Sequence, residues 1–267
     1  MKPTAMLQAR KLCLHNRFED INLSLNRGEC WHVLGQNGAG KSSLFDVLSG
    51  LTEANVGDVI YDGRALSDIS ISERATTRAY LQQTYSLAFS LSVSELLSFY
   101  LDQSTLFQQH TTPSSIPDIL VPTELDEALH VNALLDRPLN ELSGGEQQRV
   151  HIARVLLQVW PAIQQGEAIL LMDEPLQNLD IAFQESVLIL FKTLVVMGNL
   201  LVMSVHDVNL SLRFADKVLL LKQGKCQASG ESKAMLTASG VTELYEYPFE
   251  LLQLNNNIEK TFIRRPN

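Results

Sequence analysis

Residues 35–42 read Gly35-Gln36-Asn37-Gly38-Ala39-Gly40-Lys41-Ser42, and no other stretch of the chain restricts the fold as much. They match the pattern G-x-x-x-x-G-K-[ST] at every fixed position. The residues before them, Cys30-Trp31-His32-Val33-Leu34, form a short predicted strand that runs straight into the glycines. A helix is predicted from Lys41, because Leu44, Val47 and Leu48 recur at i, i+3 and i+4, and Gly50 is a natural stop. Strand, glycine-rich turn and helix in that order make an anion nest. The glycines let the backbone turn tightly so that its N–H groups converge, and the helix N-terminus adds partial positive charge. Lys41 would reach β- and γ-phosphates as a point charge, and the Ser42 hydroxyl would ligate Mg²⁺.

Two more segments carry chemistry. Ile169 to Met172 is an apolar run that delivers Asp173-Glu174 at its C-terminal end, where ligands bind in parallel sheets. Asp173 would hold Mg²⁺ through water, and Glu174 would orient and deprotonate an attacking water. Leu142-Ser143-Gly144-Gly145-Glu146-Gln147 leads into a predicted amphipathic helix with Val150, Ala153 and Leu157 on one face. Its Ser-Gly-Gly turn is a second anion-binding helix N-terminus, which suggests two nucleotide half-sites completed across an interface. Ser143 as a plain N-cap is the simpler reading, but it leaves the two glycines without a reason.

The rest of the chain alternates strands and helices. Phe18–Leu25 alternates as a half-buried strand, and Val59–Tyr61 is a strand ending at Asp62-Gly63. Residues 84–140 read as a mostly helical insertion. Val93, Leu96, Leu97 and Tyr100 have helical spacing with Ser94 at or near the N-cap. Ser104–Pro122 reads as a proline-containing loop, and Glu124–Leu135 as a further helix. Ala168–Met172 and Leu200–Val205 are continuous apolar runs, as expected of parallel strands covered on both faces. Lys217–Ser229 reads as a hairpin about Gln223-Gly224, and Phe249–Ile263 as two short strands around Asn255-Asn256-Asn257.

Composition narrows the class. With 21 Lys+Arg against 30 Asp+Glu, the net charge of −9 argues against electrostatic nucleic-acid binding, and no nucleic-acid partner is expected. Apolar residues at 45 % argue against disorder. Three scattered cysteines, Cys13, Cys30 and Cys226, fit neither a disulfide framework nor a zinc cluster and suit a reducing compartment. No signal peptide is readable at the N-terminus. Val187–Val205 is interrupted by Lys192, Gly198 and Asn199 and reads as helix, turn and buried strand rather than a membrane span.

The three motifs together, in this order and spacing, resemble the ATP-binding-cassette (ABC) ATPases. That resemblance implies an α/β fold: a P-loop NTPase (RecA-like) parallel-sheet core, an N-terminal antiparallel β subdomain and an inserted helical subdomain. It implies one ABC ATPase domain over 1–267, with the nucleotide-binding core in 1–83 and 141–240, the helical insertion in 84–140 and a tail in 241–267. ATP and Mg²⁺ are the implied cofactors. The ATP-binding set is Gly35, Gln36, Asn37, Gly38, Ala39, Gly40, Lys41, Ser42 and Ser43, with Ser143, Gly144, Gly145 and Asp180. Ser143 and Gly145 would bind the γ-phosphate held by the opposite subunit. Gln83 matches the family's Q-loop glutamine and would reach Mg²⁺ and the attacking water, with Gln82 as second choice. Asn178-Leu179-Asp180 matches the D-loop, with Gln177 where a serine is usual. His206 matches the switch histidine. The catalytic set is thus Glu174, His206 and Gln83, and the Mg²⁺ set Ser42, Gln83 and Asp173. For the family's adenine-stacking aromatic, the candidates are His15, Arg17 and Phe18, and Phe18 is more often core at such a position.

Segments 79–83, 142–150, 170–175, 178–180, 204–209 and 219–230 are similar to ATPase subunits of cobalamin (vitamin B12) importers. This implies a peripheral protein on the cytoplasmic face of the bacterial inner membrane. It would form a head-to-tail homodimer on two transmembrane permease subunits, with a periplasmic substrate-binding protein reached through the permease. Importers of ferric siderophores or haem share several of these motifs. Soluble ABC ATPases are the other class. No long coiled coil of the repair type and no second phosphate loop of the translation type is present, but a cluster-assembly ATPase stays open.

Overall fold

The computed structural model describes residues 5–83, 91–100, 121–254 and 259–264. Three strand sets organise it. The first is a four-stranded antiparallel sheet of β1 (Leu7–Leu14), β2 (Phe18–Leu25), β4 (Val56–Tyr61) and β5 (Arg64–Ala65), in the order β2-β1-β4-β5. The second holds β3 (Cys30–Leu34), β6 (Arg78–Leu81), β7 (Ile169–Met172), β8 (Leu200–Ser204), β9 (Lys217–Lys222) and β10 (Lys225–Glu231), in the order β10-β9-β3-β8-β7-β6. Its strands run parallel except β10, which returns antiparallel on β9. The third is the antiparallel pair β11 (Phe249–Leu254) and β12 (Glu259–Arg264).

The continuous apolar runs have a direct reason. Leu170 and Met172 face one buried cluster, with Leu201, Met203, Val218 and Leu220. Ile169 and Leu171 face the other, with Leu200, Val202, Leu219 and Leu221. Both faces of the central strands are covered, so no position along them favours a polar residue. The first cluster takes in the helices α5 (Gly144–Gln158) and α7 (Ile181–Val196). The second takes in α1 (Lys41–Ser49) and the antiparallel sheet.

The predicted turns fall where expected. Gly50 ends α1 in a left-handed conformation at φ 74°. Gln223 and Gly224 carry φ of 49° and 76° at the β9–β10 turn, as a two-residue hairpin with two left-handed central residues requires. Gly198 separates α7 from β8. The readings at 104–120 and 255–257 lie outside the described residues.

One local expectation is narrowed and two are corrected. Ser92 caps α3 (Val93–Ser98) in a capping box with Glu95, so Ser94 lies near the N-cap, two residues on, and is not the cap itself. Helix α4 (Thr123–Leu129) stops six residues before the expected Leu135. His130 turns left-handed, and the Arg149 guanidinium takes the Leu129 and His130 carbonyls that a longer helix would have used. Helix α5 is not amphipathic in the expected sense. Every residue from Arg149 to Leu157 is buried, because the helix packs against β6, α3, α4 and α6 (Trp160–Gln165). Among the described residues, no helix is long and apolar enough to cross a membrane.

Candidate functional site

Four parallel strands end at one edge of the central sheet and deliver the expected residues together. β3 runs into Gly35, β6 into Gln83, β7 into Asp173-Glu174 and β8 into Val205-His206. Because β3, β8, β7 and β6 are neighbours in register, their C-terminal ends lie side by side. A cleft of about 480 Å³ opens there, lined in part by Asn37, Gln83, Glu174, Ser204 and His206.

The glycine-rich turn is braced by backbone from elsewhere. Gly40 has φ 102°, and a Cβ on it would stand 2.8 Å from the Arg17 carbonyl. A Cβ on Gly224, at the β9–β10 turn, would stand 2.4 Å from the same carbonyl, and the Gly224 N–H donates to the Ala39 carbonyl at 3.0 Å. Lys41 Nζ donates to the carbonyls of Gly35 (2.8 Å) and Gln36 (3.2 Å). Burial holds its ammonium below the ordinary lysine value, opposed by the charges of Glu174 and Asp173. An ammonium folded back on its own loop, facing two carboxylates, is poised for a polyanion.

Asp173 is 1 % exposed. Ser204 Oγ donates to its Oδ1 at 2.6 Å. Burial pushes the carboxyl above its usual range, opposed by the hydroxyls of Ser204 and Ser42 and by Lys41. Asp173 Oδ2 is buried without a hydrogen bond of ordinary geometry. A shielded carboxylate oxygen beside the Ser42 hydroxyl is an oxygen donor pair suited to a hard divalent cation such as Mg²⁺, and Gln83, bonded to the neighbouring Glu174, would add its amide oxygen.

Glu174 is held on three sides. Its Oε1 lies 2.7 Å from His206 Nε2, its Oε2 accepts from Gln83 Nε2 at 3.0 Å, and its backbone N–H donates to Ser204 Oγ at 2.7 Å. Gln83, the first choice of the two adjacent glutamines, thus reaches the acid. The Glu174 backbone has φ 52°, a strained value for a non-glycine residue. The His206 side chain is 49 % exposed and the Glu174 side chain 11 %.

The Ser143 turn sits apart from this cluster. No hydrogen bond among the described residues joins Ser143, Gly144 or Gly145 to residues 35–43. Ser143 caps α5 in a capping box with Glu146, whose carboxyl is held down to about 2 by the Ser143 backbone and side-chain hydrogen bonds. Gly145 has an intrachain reason: a Cβ there would stand 2.8 Å from the Asn178 carbonyl. Asp180 Oδ1 accepts from the Phe183 N–H at 2.9 Å and caps α7. Of the adenine candidates, Phe18 is buried in the core, while His15 and Arg17 are exposed.

Sequence reasoning missed two residues. Ser204 bridges Asp173 and Glu174; its signal is a lone hydroxyl inside the apolar run of β8. Gln148 Nε2 donates to the carbonyl of Pro175 at 3.0 Å and reaches that of Glu174 at 3.4 Å. Nothing in its spacing distinguishes it from the surface glutamines of a helix start.

Comparison with known proteins agrees with this geometry. The ABC transporter family profile matches residues 18–177. The vitamin B12 import ATP-binding protein of Vibrio atlanticus is 34 % identical over 251 residues, covering 94 % of this chain and 97 % of that protein. The hemin import ATP-binding protein of Hahella chejuensis is 35 % identical over 234 residues, covering 88 % of each. Among solved structures, an inward-facing metal-chelate type ABC transporter superposes with a TM-score of 0.73 at 27 % identity, covering 98 % of both chains.

Proposed function

Because this chain belongs to the ABC transporter family, as the ATPase subunit of an importer, we propose that it hydrolyses ATP to drive uptake of vitamin B12 through a membrane permease. One observation carries the ATPase reading: Glu174 is held between Gln83 and His206 at the end of β7, with Asp173 and Lys41 beside it. Gly35 to Ser43 would wrap the phosphates, and Lys41 would leave its two carbonyls for them. Ser42, Asp173 and Gln83 would hold Mg²⁺, which supplies charge neutralisation when bound. Glu174 would take a proton from the attacking water, and His206 would contact the γ-phosphate. Positioning and charge do this work; no covalent intermediate is needed.

The same reading makes the protein a head-to-tail homodimer. The separation of the Ser143 turn from the Lys41 loop within one chain supports it, since each turn would close over the partner's nucleotide. Asp180 would lie at that interface. ATP bridges the closed dimer and cannot bridge the open one, so binding favours closure and hydrolysis releases it. The insertion, residues 84–140, would be the helical subdomain that receives a permease helix. The core is 1–83 with 141–240, and 241–267 is the tail. The protein sits on the cytoplasmic face of the inner membrane under two permease subunits, and a periplasmic binding protein acts through them.

Vitamin B12 as cargo is supported by the relative from Vibrio atlanticus. The hemin relative and the metal-chelate transporter support a second reading, haem or a ferric siderophore, with the same chemistry in this chain. Uptake of labelled cobalamin, haem and a ferric siderophore in a deletion strain separates them. Loss of cobalamin uptake alone, restored by the wild-type gene and not by Lys41→Ala, is the expected result. Loss of another chelate would replace the cargo. Unchanged uptake of all three would move the protein to the soluble ABC ATPases, such as those of cluster assembly.

A further inference from the structure

Both peptide planes that flank the Cα of Glu174 are pinned by side chains from other elements. The plane before it is held by Ser204 Oγ, which accepts the Glu174 N–H at 2.7 Å. The plane after it is held by the Gln177 N–H, which donates to the Glu174 carbonyl at 3.1 Å, and from outside the segment by Gln148 Nε2, which reaches that carbonyl at 3.4 Å and donates to the Pro175 carbonyl at 3.0 Å. Between these two clamps the residue has φ 52°. A carboxylate on a left-handed backbone points where it does only while both planes are fixed, since the unstrained alternative would swing Cβ away.

Gln148 belongs to α5, the helix that begins at the Ser143 turn. The same helix meets the far end of the segment as well, where Gly145 lies against the Asn178 carbonyl. From the other side Gln184 of α7 donates to the carbonyls of Leu179 (3.0 Å) and Leu176 (3.4 Å). Residues 174–179 therefore form a strut stapled by two glutamines, with its origin at Glu174 and its far end under the Ser143 turn.

We propose that Gln148 is a positioning residue for Glu174, and that through it the Ser143–Gly145 turn of a subunit is mechanically tied to that subunit's own catalytic carboxylate. The inference rests on the reading of Glu174 as the base and of the Ser143 turn as a phosphate-binding element. A nucleotide that docks on the turn moves the start of α5, and Gln148 carries the movement to the Glu174 carbonyl. Filling one nucleotide site of a dimer thus aligns the base of the other.

The test uses the purified full chain with two variants. Gln148→Met keeps the length and packing and removes the amide donor; Gln148→Glu keeps the shape and places a carboxylate against two carbonyls. Expected for both is a fall in kcat of about tenfold or more, the scale on which a misplaced catalytic group is felt. The KM for ATP and the ATP-dependent dimerisation seen in the Glu174→Gln background should stay within about twofold, since uniform binding is untouched. A purely structural role would lower the melting temperature without this split. Wild-type kcat in either folded variant would overturn the proposal. Absence of ATP hydrolysis by the wild-type protein would instead overturn the reading beneath it, and the proposal with it.

Discussion

Glu174 Oε1 and His206 Nε2 lie 2.7 Å apart, which joins the ends of β7 and β8 through their side chains. The partner of each is thereby the other, and both lie within reach of the Gln83 amide through Glu174 Oε2. An incoming γ-phosphate would compete for the imidazole and leave the carboxylate with Gln83. On the proposed reading the contact is a resting arrangement that substrate would rearrange, and the predictions below follow from its members and supports.

Glu174→Gln should bind ATP and lose turnover. A positioned general base contributes on the order of 10²–10⁴ in rate, so kcat should fall by at least about 100-fold while ATP affinity stays near wild type. With Mg-ATP the variant should run as a dimer by light scattering. A monomer under those conditions would sink the two-site sandwich; wild-type turnover would remove Glu174 as the base.

Lys41→Ala should lose nucleotide binding. The ammonium is buried, faces Asp173 and Glu174, and has only loop carbonyls to hold it in the absence of a polyanion. Removing it leaves the two carboxylates facing a triphosphate. Titration calorimetry should show ATP affinity weakened by about 100-fold or more, the scale of losing a charge-assisted contact in a shielded site. Affinity within a few-fold of wild type would contradict this placement.

Asp173→Asn should make the nucleotide-free protein more stable and inactive. Burial raises the Asp173 carboxyl above its usual range. The folded state therefore carries a penalty at any pH where the unfolded carboxyl is ionised, and it fades as pH falls toward that ordinary value. Asparagine removes the charge and keeps Oδ1 for Ser204. At pH 7 the melting temperature should rise above that of the wild-type protein. The gain should shrink by pH 4.5, and stabilisation by Mg-ATP should disappear. A lower melting temperature at pH 7 would show that Asp173 contributes more in contacts than its burial costs.

Acid should destabilise the fold well above the carboxylate range. Burial pushes His32 down to about 3 and His151 to about 4, against an ordinary value near 6.5. Both are neutral when folded, and the unfolded chain takes up their protons first. Stability is therefore complete above about pH 7 and falls between about 6.5 and 4. The loss is roughly 2 kcal/mol per histidine by pH 5. His32→Asn, which keeps a polar partner for Ser211, should flatten the slope of urea-unfolding free energy against pH by close to one proton. An unchanged slope would mean that His32 takes up no proton on unfolding in this range.

The site was legible because its residues end strands. Gly35, Asp173 and His206 each follow an apolar run long enough to be read, and parallel strands place such ends together. The Ser143 motif was legible by pattern alone, and its glycines acquire a local reason only from the Asn178 carbonyl, a contact between segments 33 residues apart that no spacing rule encodes. Helix α4 was overextended because the leucine pattern continues past His130 while the stop comes from Arg149 on another helix. Ser204 and Gln148 escaped notice for a related reason. Ser204 accepts the Glu174 N–H and Gln148 donates to the Glu174 and Pro175 carbonyls, and such contacts with the main chain leave no mark in side-chain periodicity.

The meeting of Gly40 and Gly224 on the Arg17 carbonyl has a consequence best put in the language of a saturation mutational scan. Three loops distant in sequence touch there through main chain only, so the contact is blind to most side chains and intolerant of any at two positions. Arg17 should accept nearly every replacement as far as this contact goes, since its side chain is exposed and only its main chain is used. Proline is the exception, because the Arg17 N–H bonds the Leu14 carbonyl. Positions 40 and 224 should accept none without loss of ATP-dependent growth. A scan would therefore show two rigid columns beside a permissive one, at the wall of the nucleotide site where aromatic stacking is otherwise expected. Labels and crosslinkers placed at position 17 would report on that wall without disturbing it.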